Sequence, residues 1–86
     1  MLKNSKNIQS KYLSTWDTED IVKWLSDINM SSYSNVFESN KINGYDLCYL
    51  TNENLLNDLR ISRFHDRNVI LQAIKVQLYE QRINYS

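Results

Sequence analysis

The sequence predicts an all-α protein: a compact bundle of five helices, four short and one long at the C-terminal end. Three observations predict it. Apolar residues recur at three- and four-residue spacings from Trp16 onward, no stretch alternates with period two, and the chain has no proline and one glycine. At 86 residues there is room for about one small domain. The segments between the periodic stretches are short, which leaves close packing as the only arrangement.

Residues 1–14 carry few apolar side chains and no helical spacing, and read as a flexible arm or linker; Leu2, Ile8, Tyr12 and Leu13 are its candidates for docking. The domain itself is expected over residues 15–82, with a frayed tail at 83–86. In the first helix Ile21, Trp24, Leu25 and Ile28 form the apolar stripe. Asp17 is placed to accept from the free amides of its first turn, and Glu19 and Asp20 sit at the positive end of the helix dipole. These three acids are therefore read as a cap in preference to catalytic carboxylates. After a break at residues 29–31, Tyr33, Val36 and Phe37 continue the spacing in a second helix, capped by Ser31 or Ser32 and ending near Asn40.

Asn43 and Gly44 mark a tight turn in which the glycine takes a positive φ, and a short third helix follows at 46–49 with Leu47 and Leu50 inward. Thr51 offers a hydroxyl cap to the fourth helix, 52–59, whose buried side is Leu55, Leu56 and Leu59. Ser62 caps the fifth and longest helix, with Val69, Ile70, Leu71, Ala73, Ile74 and Leu78 as a broad apolar face.

Composition excludes several functions. Ten basic residues balance ten acidic ones, so the chain lacks the global field of a DNA-binding domain, and an electrostatic partner must meet a local patch. A single cysteine, Cys48, makes no internal disulfide and no thiolate metal site; this fits an intracellular, cytoplasmic protein, and Cys48 is expected to be partly buried. The apolar runs fall far short of the roughly 20 residues of a membrane span, and residues 1–11 lack the pattern of a secretory signal. His65 is the only histidine, no nucleophile is fixed near it by a recognisable motif, and one glycine makes no phosphate-cradling loop. No catalytic set, cofactor or metal is expected.

Across about three quarters of the chain, the spaced series Trp16, Asp20, Ile21, Trp24, Leu25, Ile28, Met30, Tyr33, Phe37, Ile42, Gly44, Leu47, Leu50, Thr51, Leu55, Leu59, Ile61, Arg67, Ile70, Leu71, Ile74 and Leu78 resembles a sterile alpha motif (SAM) domain, a five-helix interaction module. Most of these positions are core and report the fold. Two glycines of the family pattern are replaced: Arg60 stands before the isoleucine that follows the fourth helix, and His65 opens the His65, Asp66, Arg67 run where the family has Gly-His-Arg. The resemblance implies that the missing small residue alters the approach of a partner to the start of the last helix.

Arg60, Arg63 and Arg67, with His65 among them, form the candidate basic surface: three of the chain's four arginines within eight residues, beside helix-start amides, with Asp66 placed to neutralise one of them. Arg67, which matches the family motif, is also expected to be partly structural. In the family an acidic surface between the second and fourth helices meets the basic one. Here Glu38, Asp46, Glu53 and Asp58 supply the acids against Lys41 alone.

The resemblance therefore implies a protein-interaction and oligomerisation module, binding itself or another SAM domain, head to tail or as a dimer. Such modules occur in larger signalling or regulatory proteins, a protein kinase among the parents the family association offers. The alternative is an RNA stem-loop-binding SAM domain. Half of the basic surface such members use is absent, because residues 29–32 contain no cation. Tyr45, Tyr49, Tyr79 and Tyr85 are available for stacking on bases, but are expected to lie half-buried.

Overall fold

The computed structural model describes residues 12–85. A 3-10 turn, Leu13–Thr15, leads into α1 (Thr18–Asp27); a second, Ser31–Tyr33, runs into α2 (Ser34–Ser39). Then follow α3 (Gly44–Leu47), a π-helical turn (Asn54–Asp58) and α4 (Phe64–Tyr85). Four α-helices and the π turn make the five predicted helices, and there is no strand among the described residues.

Each short helix has a local reason to start where it does. The Asp17 carboxylate accepts from the Asp20 NH at 3.0 Å while Asp20 accepts from the Asp17 NH at 3.2 Å, a reciprocal lock that makes the acids of α1 structural. Asn43 and Asp46 repeat the arrangement at α3. Before the π turn the Thr51 hydroxyl accepts from the Asn54 NH at 3.1 Å, as expected of its cap. Two expected caps are absent. Ser31 and Ser32 lie inside the 3-10 turn, so α2 starts from Tyr33 with no side-chain cap. Helix α4 begins at Phe64, which puts Arg63 and not Ser62 in the cap position, and Ser62 contributes its carbonyl to Arg67.

The helix ends share a device. Met30 NH donates to Leu25 O and Asn29 NH to Ser26 O; Ile42 NH donates to Phe37 O and Lys41 NH to Glu38 O. These are Schellman closures of α1 and α2, with Asn29 and Lys41 in the left-handed region at φ 63° and 54°. After the π turn Arg60 is likewise left-handed, at φ 59°, and Ile61 NH donates to Leu55 O, one residue farther back than in the two Schellman closures. The residue after each left-handed position, Met30, Ile42 or Ile61, turns back toward the core. Arg60 occupies the place where the family carries glycine, and its φ gives the physical reason for that glycine: the left-handed conformation brings an L-residue's Cβ against its own backbone. Arg60→Gly is accordingly expected to stabilise the domain by about 1 kcal/mol, read as a higher urea midpoint at unchanged slope.

Gly44 overturns its expectation. It does not have a positive φ; it is the first residue of α3, and it is glycine because a Cβ there would lie 1.8 Å from the Leu13 carbonyl oxygen and 2.8 Å from the Trp16 Cβ. The Gly44 NH donates to Trp16 O at 2.9 Å, which clamps the start of α3 onto the segment before α1. That segment is part of the fold: Leu13, placed in the arm, is fully buried, and its NH donates to the Gln81 side chain of α4 at 2.7 Å. The remainder of the predicted arm, residues 1–11, lies outside the described residues.

The core is built from Leu13, Trp16, Ile21, Trp24, Leu25, Phe37, Leu47, Leu55, Leu59, Ile61, Ile70 and Ile74. Trp16 and Trp24 meet edge to face at 6.2 Å. Leu56 departs from its expected place and is exposed, because the wider π turn aligns Leu55 with Leu59 and rotates Leu56 outward.

Candidate interaction surfaces

The start of α4 divides the predicted basic surface in two. Arg60, Arg63 and His65 are exposed. Arg67 is not, with only 7% of its surface accessible. Its Nε donates to Asn52 Oδ1 at 2.7 Å, and its Nη1 donates to both Ile61 O and Ser62 O at 2.9 Å. The guanidinium thus satisfies two main-chain carbonyls of the link between the π turn and α4, and ties α4 to the segment that opens the fourth helix. The assignment of Arg67 to the partner surface is corrected: a fork with this many internal acceptors is a clamp within the fold.

Arg63 has a side chain 76% accessible, and its Nε stands 3.5 Å from Asp66 Oδ2. Asp66 therefore moderates the cation next to it, as the sequence predicts. The same carboxylate accepts from the Tyr33 hydroxyl, fixing α4 to the start of α2. This hydrogen bond, aided by burial and by the carboxylate's charge, holds the Tyr33 phenol above the ordinary tyrosine range. Phe64, which the sequence analysis does not name, is 65% exposed between Arg63 and His65, with the Arg67 guanidinium 5.7 Å from its ring centroid. The basic end thus has an aromatic knob at its centre.

The acids also separate. Asp46 and Asp58 line one shallow cleft of about 690 Å³, together with Ile42, Tyr45, Tyr49 and Leu50. Glu38 and Glu53 are exposed but do not line it. Asp46 is held by its lock with Asn43, and Asp58 accepts from Asn54 Nδ2 at 3.0 Å. Tyr45 and Tyr49 are exposed, with ring centroids 5.1 Å apart, against the expectation of half-buried tyrosines; Tyr79 is exposed as well. The neighbouring Tyr45 raises the Tyr49 phenol, because two adjacent phenolates repel. Burial raises the half-buried Cys48 thiol, which favours its neutral form. Arg60, Arg63 and His65 lie outside the cleft. The surface therefore offers a basic, Phe-centred end and a separate acidic, Tyr-lined cleft. No helix among the described residues is long and apolar enough to cross a membrane.

Comparison with known proteins agrees with this architecture. The family profile of the SAM domain (sterile alpha motif) matches residues 14–77. The human WD repeat, SAM and U-box domain-containing protein 1 is 31% identical over 65 residues, which covers 76% of this chain and 14% of that protein. Mouse diacylglycerol kinase eta is 32% identical over 66 residues, 77% of this chain and 5% of the kinase. Human SH3 and multiple ankyrin repeat domains protein 2 is 31% identical over 72 residues, 84% of this chain and 4% of that protein. The chain thus spans a small fraction of the relatives it matches.

Proposed function

The chain belongs to the sterile alpha motif family of protein-interaction modules, and we propose that it associates head to tail, the Arg60, Arg63 and His65 end of one copy docking on the acidic cleft of another. The carrying observation is the division of a neutral chain into an exposed basic end and a separate cleft holding Asp46 and Asp58. In this reading Phe64 inserts between Tyr45 and Tyr49 while Arg60 and Arg63 face the two aspartates, so an aromatic anchor supplies affinity and the charges set orientation. Glu38 and Glu53 stand at the rim. One heterologous contact of this kind repeats, so the product is an open chain or a ring, and another SAM domain with a matching face substitutes for the second copy. The family and its relatives support a place within a larger intracellular signalling or scaffold protein, whose catalytic work lies in other domains. The RNA reading is weakened, since Arg67 is engaged within the fold and Arg63 faces Asp66, leaving few free cations for a phosphate backbone.

Charge reversal tests the proposal. Arg60→Glu with Arg63→Glu, and separately Glu53→Lys with Asp58→Lys, are each expected to weaken self-association about tenfold in sedimentation or light scattering. Asp46 is left alone because it caps α3. An equimolar mixture of the two variants is expected to restore association, because the intact basic end of one meets the intact acidic cleft of the other. A native chain that stays monomeric at high micromolar concentration overturns the homotypic form, and retention of an RNA stem-loop pool at about 150 mM salt overturns the protein-only reading.

A further inference from the structure

Helix α4 is apolar on two sides. Ile70 and Ile74 are buried in the core, yet Val76 and Tyr79 are 52% and 62% exposed. At about 100° per residue, Val76 stands about 160° around the helix from Ile74, and Tyr79 about 180° from Ile70. A helix that serves only its own domain keeps this outer face polar. Followed back by threes and fours, the outer face reads Val69, Gln72, Val76 and Tyr79, which is the spacing of a seam between two helices. Gln72 is exposed and Val69 half-buried. Lys75 and Glu80 flank the seam on its two sides; both are exposed, and neither forms an ion pair among the described residues.

We propose that the outer face of α4 packs in parallel against the same face of a second copy of this chain, as a short two-stranded coiled coil. Charge selects both the occupant and the direction. In a parallel pair related by a two-fold axis Val76 meets Val76 and Tyr79 meets Tyr79, and the residue before the first lies beside the residue that follows the second on the other helix. Lys75 therefore faces Glu80 of the second copy, and symmetry makes the pair twice. An antiparallel pair gathers both lysines on one flank and both glutamates on the other, so neither meets its opposite. The core lies on the far side of α4, and the two domains sit outside the pair without colliding. The middle of the seam, between Val76 and Tyr79, is about 20 Å along the helix from Phe64, which leaves the basic end free. This contact is isologous and closes on itself, whereas head-to-tail docking is heterologous and repeats; together they join head-to-tail chains side by side.

The test is sedimentation equilibrium on the full chain carrying Arg60→Glu and Arg63→Glu, which disables head-to-tail docking and leaves the seam intact. This chain is expected to form a dimer. Adding Val76→Glu with Tyr79→Glu should weaken the dimer at least about tenfold while the helical circular dichroism stays unchanged. Adding Lys75→Glu alone, or Glu80→Lys alone, should weaken it about fivefold, and the two together should restore it, because the exchange re-forms both pairs with their signs swapped. A monomer at high micromolar concentration before any seam substitution overturns the proposal. So does a dimer that survives Val76→Glu with Tyr79→Glu, and a charge exchange that associates no better than its single substitutions overturns the parallel pairing.

Discussion

Gly44→Ala is expected to cost the domain about 3 kcal/mol, one methyl group producing the loss usually associated with emptying a core position. The added Cβ would sit 1.8 Å from the Leu13 carbonyl oxygen and 2.8 Å from both the Trp16 nitrogen and its Cβ. Two of these three neighbours are backbone, so no rotamer change relieves the overlap. The relief available is withdrawal of the Leu13–Thr15 turn, which would lengthen the bond from Gly44 NH to Trp16 O and disturb Leu13 and Trp16, both core residues. Urea unfolding should show the lower midpoint. The near-ultraviolet circular dichroism of Trp16 should change with it, since its edge contact with Trp24 depends on the same segment. A stability within about 0.5 kcal/mol of the native chain would show that the approach of α3 to this turn is not tight.

Arg67→Ala is the second large effect, expected at about 3 kcal/mol. The side chain leaves two main-chain carbonyls, Ile61 O and Ser62 O, and the Asn52 amide oxygen without this donor, and a charged donor of this kind contributes about 1.5–3 kcal/mol even before packing is counted. Arg67→Lys should recover only about half, because an ammonium does not reproduce the planar fork that spans these acceptors. The measurement also decides the residue's role. If Arg67 acts inside the fold, the folded fraction of the variant associates as the native chain does while its unfolding midpoint falls. A variant of native stability with impaired association would return Arg67 to the partner surface.

The parts of the molecule written in local rules were legible before the structure. The reciprocal lock of Asp17 and Asp20 and the Thr51 cap are fixed by residues three apart, and the inward positions of Ile21, Trp24, Leu25, Phe37, Leu47, Leu55, Ile70 and Ile74 follow from one periodicity. What the sequence concealed depends on geometry between segments. Gly44 looked like a turn residue because Asn-Gly marks turns; its need for a bare α-carbon arises from Leu13 and Trp16, about thirty residues away. Leu56 fits an α-helical stripe and leaves it only because the turn widens to a π-helix. Arg67 reads as one cation among three, and its burial comes from carbonyls a turn earlier in the chain that no charge count registers. Among the candidate site residues, Arg60, Arg63 and His65 reached the surface and Asp46 and Asp58 came together at one cleft, whereas Phe64 escaped a reading organised by charge, and Tyr45 and Tyr49, considered only for stacking on bases, were expected half-buried and are exposed.

The hydrogen bond from Leu13 to Gln81 joins residues 68 positions apart, so the place where the chain enters the domain and the place where it leaves are neighbours. From Phe64 to Gln81 helix α4 rises about 26 Å. Flanking polypeptide therefore departs from one end of that rod while Arg60, Arg63 and His65 stand at the other. A module wired this way can be spliced into a longer protein like a bead on a stalk, without prising its neighbours apart and without its own linkers crowding the end of α4 that a partner would grip.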